Sequence, residues 1–319
     1  MELIRDLHNL KAVHRPCVAT IGNFDGVHLG HQAVIRQLKR HAAELGLPAV
    51  VIIFEPQPME YFAPDTAPAR LTAFREKLEL LAQYSVDRVF CLRFKRSLAM
   101  LPAERFVSDL LVGRLGIKRV IIGDDFRFGR GRAGDFTLLS GMGQEYGFDV
   151  IPTDTFYCDG ERVSSSRIRR HLAAGEFEQA ARLLGRPYYI SGRVLHGDKR
   201  GAGLGFPTAN LMLKRKRSPL GGIYAVCVHG LDERVYEGVA SIGTRPVFNG
   251  RTELLEVYLF DFSDCIYGRR LHVEFMHYLR PEENFASTDA LIEQMRRDVD
   301  DARTYFKKQK NKTTGCVTG

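Results

Sequence analysis

The chain has 319 residues, 45% of them hydrophobic and 26% charged, with a formal net charge of +8. That length supports two domains with cores of their own, and the composition is that of a globular protein, which excludes fibrous and disordered classes. The longest apolar runs, such as Ala49–Phe54, are strand-sized and far below the length that spans a bilayer, and no signal-peptide pattern opens the chain, so a cytoplasmic protein without a membrane partner is expected.

Residues 17–21 read as a strand, followed by a glycine-rich turn and a helix from about His31 to Leu45, where Val34, Leu38, Ala42 and Leu45 recur at helical spacing. Gly46 and Pro48 stop that helix. Ala49–Phe54 is a continuous apolar run, typical of a strand covered on both faces. A helix over Phe74–Ala82, a strand over Arg88–Phe94, a helix over Glu104–Leu115, and strands over Arg119–Ile122 and Phe148–Pro152 follow. This alternation predicts an α/β fold built on a doubly wound parallel sheet. Ser164–Leu184 is helical in pattern, with a break near Gly175, and Gly185-Arg186-Pro187 reads as a boundary.

Beyond it the rhythm changes. Tyr188–Leu195, Tyr224–Val228, Val235–Ser241, Leu254–Phe260 and Leu271–Tyr278 are short strands separated by Gly, Pro or Asp turns, and no helix intervenes until Thr288–Phe306. That pattern predicts a small antiparallel β-barrel with a closing C-terminal helix. The expected division is residues 1–185, residues 186–306, and a polar, unstructured tail over 307–319.

The six cysteines form no CxxC pair, so zinc is not expected, and a reducing compartment suits them. The positive charge is dispersed apart from Lys214–Arg217 and the lysine-rich tail. Lys214–Arg217 reads as a solvated basic loop, and nucleic acid is not expected as a partner.

Two segments carry chemistry. The first is Gly22-Asn23-Phe24-Asp25-Gly26-Val27-His28-Leu29-Gly30-His31, which joins the first strand to the first helix. His28 and His31 are spaced to share one helix face. A helix N-terminus offers free N–H groups and a positive dipole end, a seat for phosphate. Gly22, Gly26 and Gly30 let backbone approach a ligand. Two imidazoles there can bind a triphosphate and stabilise charge on a pentavalent phosphorus; an ordinary strand-to-helix turn with surface histidines is the plain alternative.

The second segment is a glycine ladder, Gly192, Gly197, Gly201, Gly203 and Gly205, running into Phe206-Pro207-Thr208-Ala209-Asn210. Exposed N–H groups in such a loop can cradle phosphate. The Thr208 hydroxyl and the Asn210 carbonyl oxygen are hard ligands of the kind Mg²⁺ takes beside a triphosphate. The spacing is not that of a Walker loop. A Gly-rich hairpin ending in a Pro turn is the plain alternative.

The first string resembles the HxGH-type nucleotidyltransferases and, more narrowly, the N-terminal half of bacterial bifunctional riboflavin kinase/FAD synthetases. Phe54-Glu55-Pro56-Gln57-Pro58, Gly123–Gly129 and Val163-Ser164-Ser165-Ser166-Arg167-Ile168-Arg169 resemble further signatures of that family, with Gln57 where histidine is usual and Ser166 for threonine. The resemblance implies that His28, His31, Ser164, Ser165, Ser166 and Arg169 handle the phosphates of ATP, that Gly22, Phe24, Gly26 and Gly30 shape that seat, and that Asn23 lies near the reacting phosphates. It places Asp125, Phe126 and Phe128 on the flavin side. The second segment resembles the riboflavin kinase signature, with Gly197, Gly201, Gly205 and Pro207 cradling nucleotide and Thr208 and Asn210 holding Mg²⁺. Leu255-Glu256-Val257-Tyr258 corresponds to the strand that carries the family's general base, which makes Glu256 the candidate; Ser241, Val247 and Tyr258 depart from the usual residues.

The resemblance covers residues from about 15 to 306. It implies phosphorylation of riboflavin to FMN, then adenylylation of FMN to FAD, with ATP as co-substrate in both. Contacts with flavin-using proteins and self-association are left open. Two other readings compete: a nucleotidyltransferase for another phosphorylated acceptor with a non-catalytic barrel, and a basic RNA-binding protein.

Overall fold

The computed structural model describes residues 1–123, 125–196, 203–247 and 250–315, without the side chains of 244–247, 250–252 and 312–315. Its contacts divide the chain into two units, Met1–Pro68 with Lys77–Ser164, and Ala69–Glu76 with Ser165–Gly319.

The first unit holds a six-stranded sheet of β1 (Glu2–Arg5), β2 (Cys17–Ile21), β3 (Ala49–Glu55), β4 (Arg88–Arg93), β5 (Ile117–Gly123) and β6 (Asp149–Thr153), in the order β1-β4-β3-β2-β5-β6. Every pairing is parallel, as expected from the alternation of strands and helices. β2 is buried along its whole length, and so are the first five residues of β3, because helices and loops cover both faces. From β2 the chain runs outward through β3 and β4, then returns to β5 on the other side. An open sheet binds ligands beyond its C-terminal strand ends at such a reversal. β2 ends at Ile21, directly before the glycine-rich string.

Some elements differ from the sequence reading. β1 is short, with charged residues at both ends, and gives no apolar signal. The helix Phe136–Tyr146 was not read, since Gly141 and Gly143 inside it weaken helical propensity. Phe106–Arg114 winds as a wider π-helix within the expected helix. A hairpin of β7 (Tyr157–Cys158) and β8 (Glu161–Arg162) precedes Ser164.

The second unit is a closed antiparallel barrel of β9 (Tyr189–Leu195), β10 (Thr208–Met212), β11 (Gly222–His229), β12 (Tyr236–Val247), β13 (Gly250–Leu259) and β14 (Arg270–Arg280), in the order β10-β13-β12-β11-β14-β9. β10 occupies what the sequence suggested was a turn; Pro207 immediately precedes it and Leu211 is wholly buried. The helix Thr288–Gly315 seats Ala302 and Phe306 against Ala225 and Phe260. It runs beyond Phe306 because lysine and glutamine continue a helix readily. The helices Ser165–Ala173 and Phe177–Leu184 group with the barrel, where Phe177 meets Tyr224 edge-on at 5.7 Å and lies over Phe275 at 6.4 Å.

The reading of Lys214–Arg217 as a solvated loop is corrected at Arg215. Its side chain is 1% exposed and pairs with Glu76, also 1% exposed, at 2.7 Å. Arg215 also donates to the carbonyls of Arg70 and Leu71 and to the Tyr188 hydroxyl. Glu76 accepts from the Ala73 and Ser191 amides at 2.6 and 2.7 Å. The partner lies 139 positions away, so no local pattern revealed it. Breaking a buried pair leaves an uncompensated charge and costs about 3–5 kcal/mol. Arg215→Met is therefore expected to lower the temperature of the barrel's unfolding transition in calorimetry, and adding Glu76→Gln should recover part of the loss.

Candidate active sites

In the first unit, His28 is the N-cap of the helix Leu29–Leu45, and its Nδ1 accepts from the His31 amide at 3.3 Å. The helix thus starts two residues before the expected His31. The two imidazoles stack with centroids 3.6 Å apart and planes 14° from parallel, and Phe24 leans on His31 at 4.9 Å. Gly30 makes this fit, because a Cβ there would meet the His28 ring at 3.2 Å. The preceding loop is held in left-handed backbone at Phe24 (φ 48°) and Val27 (φ 42°). Such residues are strained by roughly 1–3 kcal/mol each and persist only when neighbours fix them. Gln32 and Lys77 help to do so: Gln32 donates to the Val27 carbonyl at 3.0 Å, and Lys77 donates to the Asn23 carbonyl at 2.6 Å.

His31 Nδ1 is enclosed and has no hydrogen-bond partner among the described residues. Burial first, then His28, then Lys77 hold the His31 pKa well below the ordinary 6.5. The free protein therefore keeps this imidazole neutral at pH 7, beside a helix N-terminus suited to anions. Asn23 is exposed at the mouth of the loop.

Other predicted residues of this unit lie at neighbouring strand ends. β5 pairs with β2 and leads to the loop carrying Asp125, Phe126 and Phe128. Asp125 is exposed and pairs with Arg162 at 3.0 Å. Phe126 stacks on Phe128 at 5.5 Å, and Phe128 itself is part of the core. Gln57 follows β3, caps the helix Pro58–Phe62, and is 8% exposed, yet its Nε2 has no partner among the described residues. On that helix, Tyr61 and Phe62 form an edge-to-face group with Phe94, and Phe62 is 62% exposed. Ser164 closes the first unit, whereas Ser165, Ser166 and Arg169 belong to the second, where Arg169 Nε donates to the Ala69 carbonyl at 2.5 Å.

In the barrel, strand alternation sorts β13: Leu255, Val257 and Leu259 are buried in the core, and Glu256 and Tyr258 face the other way. Register then places Asn210 of β10 opposite Glu256, Thr208 opposite Tyr258, and Ser241 of β12 beside Glu256. Thr208, Asn210, Ser241, Glu256 and Tyr258 all line one cavity of about 530 Å³. Asn210 Nδ2 donates to the Thr208 carbonyl at 3.2 Å, which leaves its amide oxygen for another partner. Arg280 and Asp298 close a wall of the same cavity with two hydrogen bonds of 2.7 and 2.8 Å. Gly205 holds φ 84°, a conformation that favours glycine, and Pro207 is exposed between it and β10. Gly197 and Gly201 lie outside the described residues, as does the side chain of Val247.

The sequence model of the FAD synthetase family matches residues 10–167, and that of riboflavin kinase matches residues 184–306. The bifunctional riboflavin kinase/FMN adenylyltransferase of Escherichia coli (strain K12) is 52% identical over 96% of this chain and 98% of its own. This chain belongs to the bifunctional riboflavin kinase/FMN adenylyltransferase family. The relative of that name from Pseudomonas fluorescens is 51% identical over 95% of this chain and 97% of its own. A solved Streptococcus pneumoniae structure, described as a macrolide-efflux protein, aligns with a TM-score of 0.76 at 28% identity, covering 95% of this chain and 99% of that one.

Ser241 and Tyr258, expected from the sequence to differ from the usual residues of a bifunctional riboflavin kinase/FMN adenylyltransferase, lie in the cavity wall. Three features were not read from the sequence: Lys77, the Tyr61–Phe62–Phe94 group, and the Arg280–Asp298 wall. Lys77 had a signal, because helical spacing aligns it with the buried Leu80 and Leu81. The other two depend on strand ends and loops that only the fold brings together.

Proposed function

We propose that the barrel phosphorylates riboflavin to FMN with ATP, and that the α/β unit adenylylates FMN with a second ATP to give FAD and pyrophosphate. The kinase half is placed at residues 186–306 and the adenylylating half at 1–185, which the two family matches support. The observation that carries the kinase reading is the Asn210–Glu256 register pair in the wall of the 530 Å³ cavity.

In this reading Glu256, which lines that cavity, accepts the proton of the ribityl 5′-hydroxyl as its oxygen attacks the γ-phosphorus and ADP leaves. Thr208 and Asn210 present the hydroxyl and amide oxygens that fit Mg²⁺, which when bound would neutralise phosphate charge. In the α/β unit, an FMN phosphate oxygen attacks the α-phosphorus of ATP and pyrophosphate departs. The nucleophile is already an anion, so the chain's task is placement and charge neutralisation. His28, His31 and the N–H groups at the helix start serve the ATP phosphates, with Asn23 at the reacting end. The exposed Phe62 ring and the half-buried Phe126 ring each offer flat apolar surface for the flavin.

No helix among the described residues is long and apolar enough to cross a membrane. The five described cysteines are free, which suits a reducing cytoplasm. Purified full-length protein given riboflavin, ATP and Mg²⁺ is expected to yield FMN and then FAD by chromatography. Absence of both products removes the assignment, and FAD from supplied FMN without any riboflavin phosphorylation would reduce the barrel to a binding module.

A further inference from the structure

Lys77 is 0% exposed, yet it reaches the loop on which adenylylation depends. We infer that Lys77 is a positioning residue for adenylyl transfer: it pins the Asn23 end of the anion loop and keeps a positive charge behind it. The inference rests on the adenylylation reading above.

Three observations support it. Lys77 shares the buried face of its helix with Leu80 and Leu81, where an apolar side chain would pack with no charge to desolvate. Its ammonium instead donates to the Asn23 carbonyl at 2.6 Å, directly before the left-handed Phe24. Its charge also reaches His31 and adds to the lowering of that imidazole's pKa. Complete burial keeps Lys77 away from substrate, so it acts through the loop backbone and through its field. Gln32, a neutral anchor, holds the Val27 carbonyl at the opposite end. The Lys77 anchor combines a hydrogen bond with charge, on the side where the exposed Asn23 meets solvent.

The test compares Lys77→Met and Lys77→Gln with wild type in the full chain. Wild-type conversion of FMN and ATP to FAD tests the underlying reading; the variants test Lys77. Lys77→Met, lacking donor and charge, is expected to lose on the order of 100-fold in kcat/KM for ATP in FAD formation. Lys77→Gln, a neutral donor, is expected to keep more of kcat and to show its loss in KM for ATP. Riboflavin phosphorylation, carried by the other unit, should stay at the wild-type rate in both. The His31 ring, followed by NMR titration, should titrate at higher pH in both variants, because a neighbouring positive charge has gone. FAD formation at wild-type efficiency in Lys77→Met overturns the inference. So does equal loss of both activities in both variants, or an unmoved His31 titration. If Lys77→Met does not fold, Lys77→Gln decides, and a wild-type KM for ATP overturns the inference.

Discussion

Replacing His28 with alanine is expected to lower FAD formation from FMN by between about 10²- and 10³-fold, the range seen when one preorganised charge-stabilising group is removed. Riboflavin phosphorylation should be untouched. His28 does two jobs. Its Nδ1 caps the helix Leu29–Leu45, and its ring stacks on His31 at 3.6 Å. Loss of the cap alone is worth roughly 0.5–2 kcal/mol of stability, and a folding defect of that size would not by itself abolish turnover. His28→Asn separates the two, since asparagine is a strong N-cap with no imidazole. It should restore the melting temperature while FAD formation stays low. If His28→Asn recovers FAD formation to the wild-type rate, His28 is only a cap and the phosphate role assigned to it is wrong.

The second large effect is expected at Glu256. Glu256→Gln keeps the shape and the strand register opposite Asn210 but removes the proton acceptor. Loss of a general base lowers rates by about 10²–10⁴-fold. Riboflavin phosphorylation should fall within that range, and adenylylation of supplied FMN should proceed as in wild type. Residual phosphorylation near the wild-type rate would show that the proton leaves by another route. A matching fall in both activities would contradict separate sites.

Strand and helix periodicity made most of the fold legible. β3 announced itself as a continuous apolar run and the Leu29–Leu45 helix by its repeat, and the change of rhythm after Gly185 marked the barrel. β10 was not legible, because proline and asparagine read locally as a turn while its strand partners come from far along the chain. The sites were legible as strings but not as arrangements. The Gly22–His31 string indicated two imidazoles at a helix start; only the fold shows that one caps the helix and stacks on the other. Glu256 in isolation looks like any strand carboxylate, and the register with Asn210 and Ser241 turns it into part of a cavity wall. Arg215 was misread for the same reason: a charged residue between two other cations gives no hint of an acidic partner beyond 100 positions upstream.

That buried pair bears on how the gene product can be trimmed. Sequence rhythm invites a cut near Tyr188, yet such a fragment discards Glu76 together with the Arg70 and Leu71 carbonyls, and so takes from the Arg215 guanidinium its counter-ion and both backbone acceptors. A minimal kinase made from this protein thus has to carry its own replacement for the eight residues Ala69–Glu76, which group with the barrel although they lie far ahead of it in the chain, or swap the arginine for a greasy side chain that asks for no counter-ion.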